Sequence, residues 1–322
     1  MKRRDFIVKT SQASLVLAAL GVYACKNSKE KNSVGEDVVI ESLSSDALFF
    51  KISLAQWSLH RALFDKKMDH LDFAAKSRSF GCEGLEYVSG FFKDKAKDIP
   101  YLTEMKTRAN AEGQKNVLIM IDGEGNLADA DTAKRLKAIE NHRKWVEAAE
   151  FLGCRAIRVN LAGGVNKEDA VKASVDSLSQ LSDYAKGSNI NILVENHGGF
   201  SSNGEWMSKV FSKVNSENCG TLPDFGNFCI TKDKDRNCLE AYDRYKGMKE
   251  LLPYAKAVSA KSYDFDANGN ETTIDFLKVM KMVKDVNYTG FIGIEYEGKR
   301  LPEDEGIKAT RDLLLKVGKQ LA

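Results

Sequence analysis

Three acidic residues each close an apolar run: Glu195 follows INILV, Asp224 follows GTLP and Glu295 follows FIGI. Runs of that length and composition read as buried strands, so each carboxylate stands where burial is deep and an unpaired charge is expensive. Brought to one place, three carboxylates would repel one another by several kcal/mol at an intermediate dielectric unless a cation neutralised them. A single divalent ion suits such oxygens: magnesium or manganese, or zinc with some nitrogen help. The plainer alternative gives each carboxylate its own neighbouring Lys or Arg.

What must position these residues is a regular alternation. From residue 50 onward, short apolar runs (KISLAQW, GLEYV, VLIMID, AIRVNL, NILVEN, GTLPDF, AVSAKSY and FIGIEYE) are separated by amphipathic stretches such as DTAKRLKAIENHRKWVEAAEFLG. Apolar residues recur there at three- and four-residue spacing, and Gly81, Gly113 and Gly153 stand where helices should end. Eight strand–helix units in about 270 residues is the arithmetic of an α/β fold of the closed (β/α)₈ TIM-barrel type. An open doubly wound sheet would carry a Gly-rich phosphate turn after its first strand, and SLHRALF stands there instead.

In such a barrel, polar residues at the C-terminal ends of the strands enter the ligand-binding mouth. Those ends deliver Gln56, Trp57 and His60, Glu86, Asp122 and Glu124, Arg158 and Asn160, Glu195, Asn196 and His197, Asp224 and Asn227, Lys261 and Asp264, and Glu295 with Glu297. Any one of them alone reads best as a solvated rim residue. The 48 basic and 46 acidic residues are intermixed with no basic block, which leaves nucleic-acid binding without electrostatic support.

The phrases VENHGG, LPDFGNF, AKSYDF and GFIGIEYEG, in this order and on these strands, resemble the xylose-isomerase-like barrels, the sugar phosphate isomerase/epimerase family. The resemblance covers residues 50–322. It implies a metal site at Glu195, Asp224 and Glu295, with Glu195 and Glu295 doubling as the acid–base pair. It also implies a His on the seventh strand, where this chain reads VSAKS and places Ser259, while Lys261 is retained. His197, on the same strand face as Glu195, or His60 could complete the site, as could water. Lys261 is expected to polarise a carbonyl or hold a hydroxyl, and Trp57, His60, Glu86, Asn160 and Asn227 to line the sugar site.

The first 25 residues are of another kind. A basic start with Arg3 and Arg4 paired, then SLVLAALGVYA ending at Cys25, describes an export signal that resembles the twin-arginine type, with VYAC as a lipoprotein cleavage box. The apolar run is too short to span a membrane, which takes about 20 residues. Residues 26–49 are polar and Ser-rich and read as a tether. Cys82 and Cys154, in the matching phrases FGCEG and LGCRA, read as buried small apolar residues. Cys219, Cys229 and Cys238 lack zinc-site pairing, and the odd count of five cysteines after Cys25 argues against a disulfide framework. Export removes the phosphorylation machinery, so the expected partner is an unphosphorylated sugar or glycoside. The membrane would be met only through a lipidated Cys25, and the chain could assemble as a homo-oligomer. Three functions fit: an isomerase or epimerase, a lyase that expels the aglycone of a 3-keto-glycoside, and a non-catalytic sugar-binding lipoprotein.

Overall fold

The structure, a computed structural model, describes residues 48–322. The export segment, and the tether up to residue 47, lie outside the described residues. Leu48 and Phe49, assigned above to the tether, pack against the core.

Strands form in chain order as β1 (Lys51–Ala55), β2 (Gly84–Val88), β3 (Lys115–Met120), β4 (Ala156–Val159), β5 (Asn191–Glu195) and β6 (Cys219–Leu222). Then come β7 (Cys229–Lys232), β8 (Cys238–Ala241), β9 (Val258–Ser262) and β10 (Phe291–Tyr296). Helices α1 (His60–Phe64) and α2 (Phe73–Ser79) follow β1. After β2 to β5 come α3 (Ile99–Ala111), α4 (Thr132–Leu152), α5 (Lys167–Ala185) and α6 (Gly204–Phe211); α7 (Arg244–Leu251), α8 (Phe276–Asp285) and α9 (Glu303–Leu321) complete the set. Asp131, Asn166 and Asn203 cap the starts of α4, α5 and α6 with their side-chain oxygens. Gly81, Gly113 and Gly153 follow their helices with φ of +75°, +65° and +79°, as their spacing predicts.

Eight strands pair in parallel in the order β6-β5-β4-β3-β2-β1-β10-β9. The ring closes where β9 meets the chain around β6: Thr221 bridges to Ala255 and Asp224 to Ser259. Ser259 N donates to Pro223 O at 3.0 Å, and Phe225 N donates to Ser259 O at 3.1 Å. This is the (β/α)₈ barrel. Alternation along each strand then sorts side chains, since successive residues point to opposite faces. Ile52, Leu85, Ile119, Ile157, Ile192, Val194, Ile292 and Ile294 join the core between sheet and helices. Ala55, Val88, Leu118, Met120, Ala156, Leu193 and Leu222 form a second cluster inside the ring. Glu195 stands two residues beyond Leu193 and Asp224 two beyond Leu222, so the period of two carries both carboxylates to the inner face.

Two features depart from the sequence reading. Between β6 and α7 the chain makes an extra antiparallel hairpin, β7 with β8, and Cys229 bonds to Cys238 across it. The odd count after Cys25 misled, because the other three cysteines among the described residues, Cys82, Cys154 and Cys219, are free. Cys82 and Cys154 are buried, with burial pushing both thiols up. Glu86, in turn, does not reach the mouth: it is 1% exposed inside the barrel, where Ser53 Oγ donates to its Oε1 at 2.5 Å. Its place depends on Gly293 of β10, since a Cβ there would lie 2.5 Å from Glu86 Oε2. Gly293→Ala should therefore lower unfolding stability by about 1–3 kcal/mol through overpacking. Adding Glu86→Ala should recover part of that loss, with a coupling of about 0.5–3 kcal/mol in a double-mutant cycle. Strict additivity in denaturant melts would show that the two residues do not compete for the space.

Candidate active site

Glu195, Asp224 and Glu295 come together at the ends of β5, β6 and β10. All three are buried, and one oxygen of each lies within 4.8 Å of the others. Around the ring, β6 and β9 stand between β5 and β10, so the two glutamates flank Asp224 and Ser259. Asp224 is held firmly: its Oδ1 accepts from the backbone N–H of Gly226 at 2.7 Å and of Asn227 at 2.8 Å. The Asn196 side chain donates to the Asp224 carbonyl and accepts from the Asp224 N–H, fixing the backbone as well. Ser259 stands where the resemblance calls for His. Its Oγ lies 2.8 Å from Asp224 Oδ2 and 2.8 Å from Glu295 Oε2. One hydroxyl proton serves only one of those two acceptors, so without a cation the second contact needs a proton on a carboxyl.

Two buried cations share this space. Lys261 Nζ donates to Glu295 Oε1 at 2.8 Å and to Glu297 Oε2 at 3.1 Å, and lies 3.8 Å from Asp224 Oδ2. Arg158 reaches Asp122 at 2.9 Å, and its Nε lies 2.9 Å from Glu195 Oε2. That last contact is close in distance but misaligned, for neither atom has a hydrogen-bond partner. We treat it as a Coulombic contact that leaves a lone pair of Glu195 Oε2 free. The other oxygen, Oε1, accepts from Asn227 Nδ2 at 3.0 Å. The alternative pairing of acids with local cations is thus partly realised. Yet four buried carboxyls (Glu86, Glu195, Asp224 and Glu295) face only two buried cations.

The electrostatics follow from that imbalance. Burial pushes Glu195 up to about 7, against the pull of Arg158. Burial likewise raises Asp224 to about 7, against Lys261, and Glu86 to about 8. Burial would lower Lys261, but Glu295, Asp224 and Glu297 outweigh it and hold the ammonium well above its ordinary value. A lysine so held keeps its proton at neutral pH and cannot serve as a base. His197 is pushed down by burial and by the nearby Arg158 and Lys261.

Above the cluster opens a pocket of roughly 430 Å³. Glu295, Glu297, Asp122, Arg158 and His197 line its polar side; Trp57, Phe64 and Phe91 line its apolar side. Trp57 is anchored by its indole N–H, which donates to Glu297 Oε1. Asn227 orients Glu195, as described, and Asn160 donates to Asp122 at 2.8 Å. His60 does not enter the cluster. Its ring stacks on Trp57 at 4.9 Å and its Nδ1 lies 2.7 Å from the Trp57 carbonyl, on the side of Glu303 at the start of α9. Sequence reasoning placed Asp122, Arg158 and Glu297 at strand ends without selecting them. The signal was there for Arg158, a charge inside the apolar run AIRV. Phe64, Phe91 and Arg236 also line the pocket; they come from the end of the short α1, the turn after β2 and the hairpin, segments too short for periodicity to mark a residue.

Comparison with known proteins agrees with this fold. No curated protein matches the sequence. Solved structures match in fold, at 13–18% identity. A D-psicose 3-epimerase of Clostridium cellulolyticum H10, crystallised with D-tagatose, aligns with a TM-score of 0.63 at 14% identity over 83% of this chain and 99% of that one. The 3-keto-D-glucoside 4-epimerase of E. coli aligns with a TM-score of 0.64 at 14% identity, over 83% and 99%. An IolI protein with a bound zinc atom aligns with a TM-score of 0.63 at 15% identity, over 84% and 99%. Residues 74–317, most of the ring with its three convergent carboxylates, match the family described as the xylose isomerase-like TIM barrel, and to that family this chain belongs.

Proposed function

We propose that this protein is a divalent-metal-dependent sugar isomerase or epimerase that moves a proton on the carbon next to a carbonyl. The observation that carries the proposal is Glu195: one carboxylate oxygen is oriented by Asn227, while the other is buried without a hydrogen-bond partner in a cluster short of positive charge. The all-carboxylate donor set and the charge deficit fit a divalent ion held by Glu195, Asp224 and Glu295. When bound, the ion would supply Lewis-acid polarisation of the substrate carbonyl. Similar barrels that act on sugars or hold zinc support this reading.

The chain's own residues supply the rest. The free lone pair of Glu195 Oε2 takes the carbon-bound proton. Glu295, flanking the cluster from β10, returns a proton to the carbon, while Lys261 and Ser259 hold its two oxygens. His197, kept neutral, is a second candidate for proton transfer at the pocket wall. The Trp57, Phe64 and Phe91 wall packs an apolar sugar face and excludes water. Lys261 and Arg158 orient and compensate the carboxylates.

Export is the second part of the proposal. The N-terminal segment with Arg3, Arg4 and Cys25 is read as a signal with a lipid-anchoring cysteine, giving a periplasmic or membrane-anchored protein whose substrate is an unphosphorylated sugar. The Cys229–Cys238 bond supports this reading, because exposed disulfides persist in oxidising compartments. Replacing Arg3 and Arg4 by Lys should leave precursor in the cytoplasm; unchanged export in a fractionation assay would reject the twin-arginine route.

Incubated in D₂O with D-tagatose and with 3-keto-glucosides, the metal-loaded protein should place deuterium beside the carbonyl of one of them. Glu195→Gln, which keeps an oxygen donor but cannot take the proton, should retain metal and lose about a hundred- to ten-thousand-fold in exchange. Exchange with loss of the aglycone would make the enzyme a lyase. Absence of exchange with every sugar, alongside tight binding, would make it a sugar-binding protein.

Proton linkage yields an independent check. Glu195, Asp224 and Glu86 have folded pKa values of about 7, 7 and 8, above the usual carboxyl range. From about pH 4 to pH 8 the metal-free folded state therefore binds more protons than the unfolded chain, and these groups contribute stability that falls as pH rises. A divalent ion competes with those protons. The Tm increase on adding manganese, magnesium or zinc to chelator-treated protein should thus grow from pH 6 to pH 8. A metal effect independent of pH in that window would place the ion elsewhere.

A further inference from the structure

The hairpin between β6 and α7 has no part in closing the barrel, yet it brings Arg236 to the wall of the mouth pocket. We propose that Arg236 is a specificity residue for the sugar site, reading an anionic substituent, such as a carboxylate, on the part of the substrate remote from the reacting carbon.

Three observations lead there. First, the exposed guanidinium is unspent: among the described residues its side chain makes no hydrogen bond and no ion pair, although Asp233 and Asp235 are its chain neighbours. Asp233 is already committed, its Oδ1 accepting from the N–H of Asp235 at 2.9 Å and of Asn237 at 2.8 Å. Second, the backbone holds a long side chain where the turn calls for glycine. Arg236 has φ +67°. The same turn recurs at residues 266–270, where Asp266 Oδ1 accepts from Asn268 and Asn270 and the matching position is Gly269, φ +74°. That second turn lies away from the mouth, and its left-handed position carries no side chain. At the mouth the strained conformation is kept together with a guanidinium, and strain of this kind concentrates at functional sites. Third, Cys229–Cys238 links the start of one hairpin strand to the start of the other, two residues from Arg236, so the tip is presented by a constrained support rather than a free loop. The positive charge facing the metal cluster is paired, Arg158 with Asp122 and Glu195, and Lys261 with Glu295 and Glu297. Arg236 is the pocket cation left for a ligand, and a planar guanidinium suits a carboxylate through two parallel hydrogen bonds.

The inference rests on the sugar reading for its probes but not on catalysis. D-Tagatose and D-tagaturonate differ only in that the carbinol at the end remote from the ketone is a carboxylate in the second. Calorimetric titration of the oxidised, metal-loaded protein should show tighter binding of D-tagaturonate. Arg236→Ala should weaken it by roughly ten- to a hundredfold and leave D-tagatose within about twofold. Arg236→Lys should recover part of the loss. Arg236→Gly should bind like Arg236→Ala while raising Tm, since glycine relieves the backbone. The double substitution Cys229→Ser, Cys238→Ser should weaken D-tagaturonate selectively. Unchanged D-tagaturonate affinity in Arg236→Ala, or equal weakening of both sugars, overturns the proposal. Charge-selective binding without deuterium exchange would sink the catalytic reading and leave this one standing.

Discussion

Buried negative charge is the constraint around which the barrel is arranged. Four buried carboxyls, Glu86, Glu195, Asp224 and Glu295, lie inside the ring or at its mouth with two buried cations between them. Each deep carboxylate would be costly alone, and the chain manages the excess in three ways. Glu86 is held protonated by burial, with a Ser53 hydrogen bond on one oxygen. Asp224 is wrapped by two backbone N–H groups and a serine hydroxyl. Lys261 and Arg158 each bridge one deep carboxylate to one nearer the rim, Glu295 to Glu297 and Glu195 to Asp122. Charge remains uncompensated after all three, and that remainder is what a divalent cation would meet.

The same arrangement separates the two glutamates. Glu295 has both oxygens engaged by Lys261 and Ser259, whereas Glu195 keeps one lone pair free. Identical side chains thus differ in their hydrogen bonding, with Asn227 setting the orientation of Glu195. Ser259 contributes by being small: it links two carboxylates directly and leaves the donor set made of oxygen atoms. Such a set favours hard cations more than one containing imidazole would.

Support for the site comes from ordinary parts of the barrel. Gly293 carries no side chain, and Glu86 occupies the space this leaves in the lumen. Trp57 reaches from the end of β1 to Glu297 after β10, tying the pocket's aromatic wall to its polar floor. The β7–β8 hairpin is an addition to the eight-unit plan, and it gives the mouth a charged element that the ring does not supply.

The eight strands, the helices between them and the three carboxylates were legible in the sequence. Period-two and period-3.6 patterning is local, and an acid straight after an apolar run marks a strand end. Glycine after Phe80, Glu112 and Leu152 marked helix ends for the same local reason. Only the tertiary structure decided the rest. That Glu86 lies inside the barrel depends on Gly293, more than 200 residues away in the chain. That His60 stacks behind Trp57 depends on side-chain packing beside α9. Cys229 and Cys238 pair because a hairpin folds between β6 and α7, and a count of cysteines holds no information on proximity. Which cation answers which carboxylate, Lys261 for Glu295 and Arg158 for Glu195, was likewise settled only when the ring closed, because such pairings depend on distances that the order of residues along the chain does not contain.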